Sequence, residues 1–321
     1  MTPEPRRIVL DRDIEPFAAA LLAGGATVGD PAIVPIAEQR RQAALLRHRW
    51  TVGGPAMKRR VDHVASTSRG PVAIRIHYPI SAHRLPVLVY LHGGGWTFLD
   101  LDTHDRVMRE FAACSGWAVV GVDYPLAPEA PFPAAIEHSA ALIEWLRQEA
   151  TALGLDAARL AIAGDSAGAN LALATALKLR DDDRLPPTAL ILAYGVYDCD
   201  FTRASYRRFG GGDYPLSAER MRFLWSSYVA DPAMRRTPLA APLHGDLAAL
   251  PPTRLIIAEA DVLHDENVEL AMRLRESGNA TQAAVYLGTT HAFLEAAAVA
   301  EISRCAIAEA AGWLGAVATT G

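Results

Sequence analysis

The sequence is poor in cysteine, and this sets a first limit on how the fold is stabilised. The 321 residues include three cysteines, Cys114, Cys199 and Cys305. Their number is odd and no two of them form a CxxC pair, which argues against a disulfide framework and against a zinc site. A chain of this length buries a large core and needs no disulfide or metal site to stabilise it. We therefore expect reduced, buried thiols, as in cytoplasmic proteins.

A surplus of basic residues and a long apolar run are also absent. Lys and Arg total 31 against 36 Asp and Glu, so the formal net charge is -5, and a nucleic-acid partner is not expected. No apolar stretch reaches the ~18–20 residues that a spanning helix needs. Acidic residues precede the short apolar run at 18–23, unlike in a signal peptide. We therefore predict a cytoplasmic protein without membrane insertion.

Short β-branched segments alternate with longer amphipathic segments along most of the chain. Eight strands are predicted, at 61–64, 72–78, 87–91, 116–123, 159–163, 188–194, 254–258 and 283–286. Helices are predicted at 10–23, 35–49, 134–149, 167–180, 218–229, 267–277 and 302–314. This alternation predicts a single α/β domain over residues 1–321, with a mostly parallel central sheet and helices on both faces. The stretch at about 198–250 interrupts it and is predicted to form, with about residues 1–50, a helical cap over the strand ends.

The five residues Gly164–Gly168, GDSAG, follow a predicted strand and open a predicted helix. This is the strand–turn–helix setting of the G-x-S-x-G nucleophile elbow, in which a tight turn exposes the serine hydroxyl. Ser166 is therefore the predicted nucleophile. Asp165 lies beside it and is predicted to line the substrate pocket.

Three glycines follow His92 directly after the strand at 87–91. Glycines leave backbone N–H groups uncovered, and such donors stabilise the charge on the oxygen of a tetrahedral intermediate. We predict an oxyanion hole from the N–H groups of Gly93, Gly94 and Ala167. A phosphate-binding loop is the alternative, but it would require a Lys or a G-x-G-x-x-G frame. Trp96, next in sequence, is predicted to shorten the acyl pocket.

A serine hydroxyl needs a base at neutral pH, and His291 is the candidate because it follows the last predicted strand. His244 and His264 compete with it, although neither follows a strand in this way. The predicted acid that orients the base is Asp261, just after the strand at 254–258. Its competitors are Asp198, Glu259 and Asp265, the last of which suits a helix N-cap. The order Ser166, Asp261, His291 is that of α/β-hydrolases.

Cofactors and metals are not expected. A metal site is the alternative interpretation of Asp102, His104 and Arg106. Their spacing, however, lacks the pattern of H-x-x-x-H or H-E-x-x-H ligands.

The chain resembles the hormone-sensitive-lipase-like family of α/β-hydrolases, and within it the bacterial acetyl esterases. The matching stretches are HGGGW (92–96), LDTHDR (101–106), VDYPLAPEAPFPAA (122–135), GDSAGANLALA (164–174), EADVLHDE (259–266) and THAF (290–293). The resemblance implies hydrolysis of acetyl to butyryl esters by the Ser-His-Asp triad through an acyl-enzyme. It also implies a small-molecule ester as the partner, with a homodimer as one candidate assembly.

Two alternatives stay open. An amidase, or a deacetylase of a sugar or natural product, would use the same triad, because only the leaving group differs. A binding module on a hydrolase fold is the alternative from another class, although such modules usually lose a member of the triad.

Overall fold

The computed structural model describes residues 8–25 and 34–317. The strands are β1 Arg59–Thr67, β2 Gly70–Tyr78, β3 Leu85–Leu91, β4 Ala118–Asp123, β5 Leu155–Asp165, β6 Leu190–Ala193, β7 Thr253–Ala260 and β8 Thr281–Thr290. The helices are α1 Ile14–Gly25, α2 Ile36–Thr51, α3 Asp105–Ser115, α4 Ala134–Leu153, α5 Ala167–Asp181, α6 Ala204–Phe209, α7 Ala218–Tyr228, α8 His264–Glu276 and α9 Glu301–Val317. Short 3-10 helices cover Pro232–Met234, Pro242–His244 and Phe293–Ala298.

All eight strands join one sheet in the order β1-β2-β4-β3-β5-β6-β7-β8. The pairs β1–β2 and β2–β4 are antiparallel, and the five pairs from β4 to β8 are parallel. The predicted mostly parallel α/β sheet is thus confirmed. Since the parallel strands run in one direction, their carboxyl ends meet at one edge of the sheet, where loops bring distant residues together.

Helices cover both faces of the sheet. Along β3, Val87, Val89 and Leu91 pack in the cluster that includes α4, α5 and α8. The alternate residues Leu88 and Tyr90 pack in the cluster that includes α1, α3 and α9. A strand covered on both sides has no polar face, which explains why every residue of β3 is buried and apolar.

The predicted elements differ from the structure mainly around α3. This helix was not predicted, and the strand expected from residue 116 begins at Ala118 instead. Gly116 adopts a left-handed conformation with φ of 70° and donates its N–H to the carbonyl of Ala112. It therefore ends α3, because glycine has no Cβ to oppose that conformation.

The thiols are free, but the predicted burial of the cysteines is wrong for two of them. Cys114 and Cys305 are exposed, and Cys199 is half-buried. Cys114 lies on α3 and Cys305 on α9, both outer helices that turn one side to solvent. Within residues 8–25 and 34–317, no helix combines the length and the apolar character needed to cross a membrane.

Candidate active site

Ser166 lies in the turn between β5 and α5, with φ of 53° and ψ of -122°. Few side chains adopt this backbone conformation without strain, so the surrounding contacts must hold it. The Ser166 N–H donates to the carbonyl of Ala193 in β6 at 2.8 Å. A Cβ on Gly168 would lie 1.9 Å from the carbonyl oxygen of Leu91, so only glycine lets α5 approach β3 this closely. The turn is thereby fixed against the neighbouring strands.

The side chains of Ser166, His291 and Asp261 form one continuous hydrogen-bonded chain. His291 Nε2 lies 2.9 Å from Ser166 Oγ, and its Nδ1 lies 2.7 Å from Asp261 Oδ2. The Leu263 N–H donates to Asp261 Oδ1 at 3.0 Å and holds the carboxylate in place. The ring of His291 rests edge-on against Tyr194, 5.1 Å between centroids. With Nδ1 donating to the carboxylate, Nε2 is free to accept the serine proton.

The competing histidines and acids lie in other contacts. His244 Nε2 contacts Asp198 at 2.9 Å, and His264 Nδ1 contacts the carbonyl of Ala258 at 2.9 Å. Asp265 accepts the N–H of Ser205, and Glu259 accepts that of Gly288. The structure therefore brings together the three residues predicted as a triad and none of their competitors.

The glycine loop after β3 differs from the prediction at Gly93. The Gly93 N–H donates to Asp165 Oδ1 at 3.0 Å, so this donor faces the carboxylate and cannot bind a substrate oxygen. Within residues 8–25 and 34–317, the N–H groups of Gly94, Gly95 and Ala167 have no acceptor. Gly94 and Gly95 line the same cavity as Ser166. Gly95 was missed because the sequence does not show which glycine N–H the acidic side chain occupies.

A buried polar cluster of Asp165, Tyr90 and His104 packs behind this glycine loop. Asp165 accepts the Tyr90 hydroxyl at 2.9 Å, and its Oδ1 lies 3.4 Å from His104 Nε2. Burial raises the pKa of Asp165, but His104 and the Tyr90 hydroxyl outweigh it, and the net pKa is below the ordinary value. For His104, burial lowers the pKa, and the Asp165 carboxylate more than compensates, so the pKa is raised. The pair is thus stabilised in its charged form.

His92 orients the start of the loop. Its Nδ1 donates to the carbonyl of Gly93 at 2.7 Å, and its own carbonyl accepts the Tyr124 hydroxyl at 2.7 Å. The two rings stack with centroids 4.4 Å apart. Burial, together with the nearby His104, lowers the pKa of His92 to about 4. The ring is therefore neutral at physiological pH and acts as a structural hydrogen-bond donor.

Three buried side chains, His104, Asp165 and Glu295, bring possible metal-ligand atoms within 4.8 Å of one another. Each carboxylate has protein donors already. Asp165 accepts from Gly93 and Tyr90, and Glu295 accepts from Arg47 Nε at 2.8 Å. The chemistry of the cluster is accounted for by support of the loop and by this ion pair, so no metal is assigned to it.

A cavity of about 350 Å³ opens above the serine. Its lining includes Ser166 and His291 from the sheet loops, and side chains from α1, α2 and α7 on the opposite side. Asp165 lines it. Trp96, which was also predicted to line it, does not. The Trp96 ring stacks on Tyr228 at 4.2 Å and donates its N–H to Asn170, so it supports the loop from behind. Arg47 and Arg220, which the sequence did not single out, line the cavity.

Comparison with known proteins agrees with this architecture. Residues 88–295 match a family model described as the alpha/beta hydrolase fold. Ethyl acetate hydrolase of Pseudomonas putida is 39% identical over 216 residues, which cover 67% of this chain and 68% of that protein.

Two solved structures match over nearly the whole chain. An esterase of the archaeon Pyrobaculum calidifontis is 33% identical, with a TM-score of 0.84, and covers 88% of this chain and 94% of its own. An ester hydrolase from the metagenome of Lake Arreo is 31% identical, with a TM-score of 0.89, and covers 96% of this chain and 99% of its own. The chain therefore belongs to the hormone-sensitive-lipase-like family of α/β-hydrolases and is an esterase of that family.

Proposed function

We propose that the protein hydrolyses short-chain carboxylic esters, acetyl to butyryl, through an acyl-enzyme on Ser166. The observation that carries this proposal is the chain of two hydrogen bonds from Asp261 through His291 to the serine hydroxyl. The similarity to an ethyl acetate hydrolase supports the short acyl group. The same triad is competent for amides, so the rate ratio between p-nitrophenyl acetate and p-nitroacetanilide separates an esterase from an amidase.

The reaction proceeds in two halves. Ser166 Oγ attacks the ester carbonyl while His291 Nε2 takes its proton, and the same nitrogen returns that proton to the leaving alcohol. A water molecule then loses its proton to His291 and attacks the acyl-enzyme, and the acid leaves as Ser166 regains the proton. Asp261 stays ionised and stabilises the imidazolium throughout.

The oxyanion hole in this proposal consists of the N–H groups of Gly94, Gly95 and Ala167. They are supported as donors because none has another acceptor within residues 8–25 and 34–317. One donor of this kind lowers the barrier by about 2.7–4 kcal/mol. The Gly93 N–H is left out because it binds Asp165.

Substrate access in this proposal is controlled by a cap formed by about residues 1–50 and 198–250. Leu21 of α1, Leu46 of α2 and Leu224 of α7 line the cavity opposite the serine, which supports such a cap. Residues 1–7 and 26–33 of the predicted cap lie outside the described residues. The free thiols support a cytoplasmic location, and the homodimer stays a prediction.

A fluorophosphonate probe tests the nucleophile directly. We expect the wild-type protein to be labelled at Ser166, as located by peptide mass spectrometry, and to hydrolyse p-nitrophenyl acetate. Ser166→Ala should lose both. Ser217→Ala removes the other serine that lines the cavity and should still be labelled at Ser166. Turnover near the wild-type rate in Ser166→Ala would refute the assignment.

A further inference from the structure

Arg220 is a cation on the cavity wall that the proposed triad does not use. It belongs to α7, is only partly exposed, and lines the cavity that contains Ser166. The cavity is otherwise walled mainly by apolar side chains such as Leu216, Leu224 and Phe98. A charge in such surroundings is costly unless a partner of opposite sign is close.

No carboxylate of residues 8–25 and 34–317 forms an ion pair or hydrogen bond with the guanidinium of Arg220. The two carboxylates that line the same cavity have other partners: Glu295 accepts from Arg47 at 2.8 Å, and Asp165 accepts from the Gly93 N–H. The charged group that acts most on Arg220 is the like-charged Arg47. Among the described residues, this cation thus lines the same cavity as Ser166 without a paired carboxylate.

Two aromatic rings hold the guanidinium in position. Its carbon lies 4.5 Å from the ring centroid of Phe98 and 5.0 Å from that of Phe223. Burial, with Arg47 as a secondary cause, lowers the pKa of Arg220 to about 10. The side chain therefore stays charged at neutral pH, and its N–H groups have no acceptor among the residues that the structure describes. The flanking rings restrict its motion.

We propose that the substrates are esters that carry an ionised carboxylate, and that Arg220 binds this carboxylate while Ser166 attacks the ester group. A planar guanidinium matches a carboxylate with two parallel N–H donors, and the low-dielectric cavity strengthens their attraction. This inference rests on the proposed esterase function and names its substrate class. Arg220 is a specificity-determining residue, and the chemistry stays with the triad.

Two pairs of substrates of matched shape test the proposal. Ethyl hydrogen succinate and ethyl levulinate differ at the acyl end, where a carboxylate oxygen replaces a methyl group. Acetoxyacetate and acetoxyacetone differ in the same way at the alcohol end. We expect kcat/KM of the wild-type protein to be about tenfold or more higher for the charged member of at least one pair, as for a hydrogen-bonded charge pair. The pair that shows the preference identifies which side of the ester faces Arg220.

Arg220→Met removes the charge and keeps an unbranched apolar stem. We expect the charged-to-neutral ratio of kcat/KM to fall about tenfold in this variant, mainly through KM of the charged ester. Arg220→Lys should retain part of the preference, because it keeps the charge but loses the planar fork. Arg222→Met is the matched control: Arg222 is exposed on the same helix, its guanidinium carbon lies 5.2 Å from the ring of Phe201, and it does not line the cavity. This control should keep the wild-type ratio.

Succinate binding gives a readout that does not depend on turnover. Succinate should raise the Tm of the wild-type protein and of Arg222→Met, but not that of Arg220→Met. If the wild-type protein hydrolyses the neutral esters and shows no charged preference in either pair, the inference is wrong and the proposed function stands. If the wild-type protein hydrolyses none of the esters and Ser166 is not labelled, the inference and the proposed function are both wrong.

Discussion

At residue scale, the carboxylate of Asp261 is held by two donors on different parts of the chain. One oxygen contacts Nδ1 of His291 and the other accepts the N–H of Leu263, so the carboxylate has a fixed orientation. This orientation determines which nitrogen of His291 carries the proton in the resting enzyme. In the proposed mechanism, Asp261 thus orients the base His291 without contacting the substrate.

Asp261→Asn should reduce kcat by about 10⁴-fold with little change in fold, because an amide in this place favours the wrong imidazole tautomer. The measurement is kcat for p-nitrophenyl acetate. Asp265→Asn serves as the control, since Asp265 accepts a backbone N–H on another part of the chain, and it should stay within about threefold of the wild-type rate. Equal losses in the two variants would contradict the assignment of Asp261.

The structure brings together Ser166, Asp261 and His291, the three residues predicted from local motif, chain order and position after a strand. Position after a strand is informative because parallel strands place their carboxyl ends at one edge of the sheet. The prediction for Gly93 failed for a different reason. Its N–H is taken by Asp165, 72 residues away, and no local pattern shows such a contact. The position of Arg220 on the cavity wall carries no local signal either, because it depends on how the folded chain brings α7 to the cavity.

At the scale of elements, Asp165 connects the end of β5 to the glycine loop after β3 through hydrogen bonds. It is the last residue of β5, directly before Ser166, and its carboxylate accepts the Gly93 N–H from the loop after β3. It also accepts the hydroxyl of Tyr90 from β3 itself. The position of the proposed oxyanion donors relative to Ser166 therefore depends on one buried side chain.

Asp165→Ala should lower kcat about tenfold or more and also lower Tm, because it leaves a buried N–H and a buried hydroxyl without an acceptor, at about 1–3 kcal/mol each. Asp165→Asn keeps an acceptor oxygen and should recover most of the kcat. Measuring kcat, KM and Tm for both variants tests this role. If Asp165→Ala and Asp165→Asn have the same kcat, the acceptor oxygen of Asp165 does not position the glycine loop.

Leu224 of α7 packs against the glycine loop: a Cβ built on Gly95 would lie 2.4 Å from its side chain. Leu224→Ala should enlarge the cavity and shift the preferred p-nitrophenyl ester to a longer acyl chain, at a stability cost of about 2–5 kcal/mol. A series of esters from acetyl to decanoyl measures the shift. Leu185→Ala, at an exposed position, should leave the profile unchanged, and an unaltered profile in Leu224→Ala would mean that α7 does not limit chain length.

The strands were predicted well and α3 was not. Strands buried on both faces are short, β-branched and apolar, a signal that needs no knowledge of their neighbours. Helix α3 has its buried residues Val107, Met108, Phe111 and Ala112 at helical spacing, so its signal was present. It begins without a side-chain cap at His104, and so its start lacked the usual mark of a helix N-terminus.

At the scale of the whole molecule, buried neutral histidines link stability to pH. His77 of β2 is fully buried. Burial, with Arg75 and Arg109 as further causes, outweighs the opposing effect of Asp105 and lowers the pKa of His77 to about 4. Between this value and the ordinary value of 6.5, the unfolded chain binds a proton that the folded protein does not. Stability is therefore lost as pH falls through this window.

His77→Gln should flatten this dependence. We expect the free energy of unfolding in urea to fall less between pH 6.5 and 4 in the variant than in the wild-type protein, at whatever absolute stability it has. His83→Gln, at an exposed position, should keep the wild-type slope. Parallel curves for all three proteins would show that His77 is not the titrating group.

The cavity described above has two kinds of wall, and this division matters for how such an enzyme changes over time. Ser166 and His291 lie on loops that follow strands of the sheet, whereas much of the remaining lining comes from three segments outside it, α1, α2 and 212–224. In the proposed mechanism no residue of these three segments transfers a proton or attacks the ester. If the proposed triad is correct, related enzymes with this scaffold can evolve new ester preferences through substitutions in these three segments while Ser166, Asp261 and His291 stay unchanged.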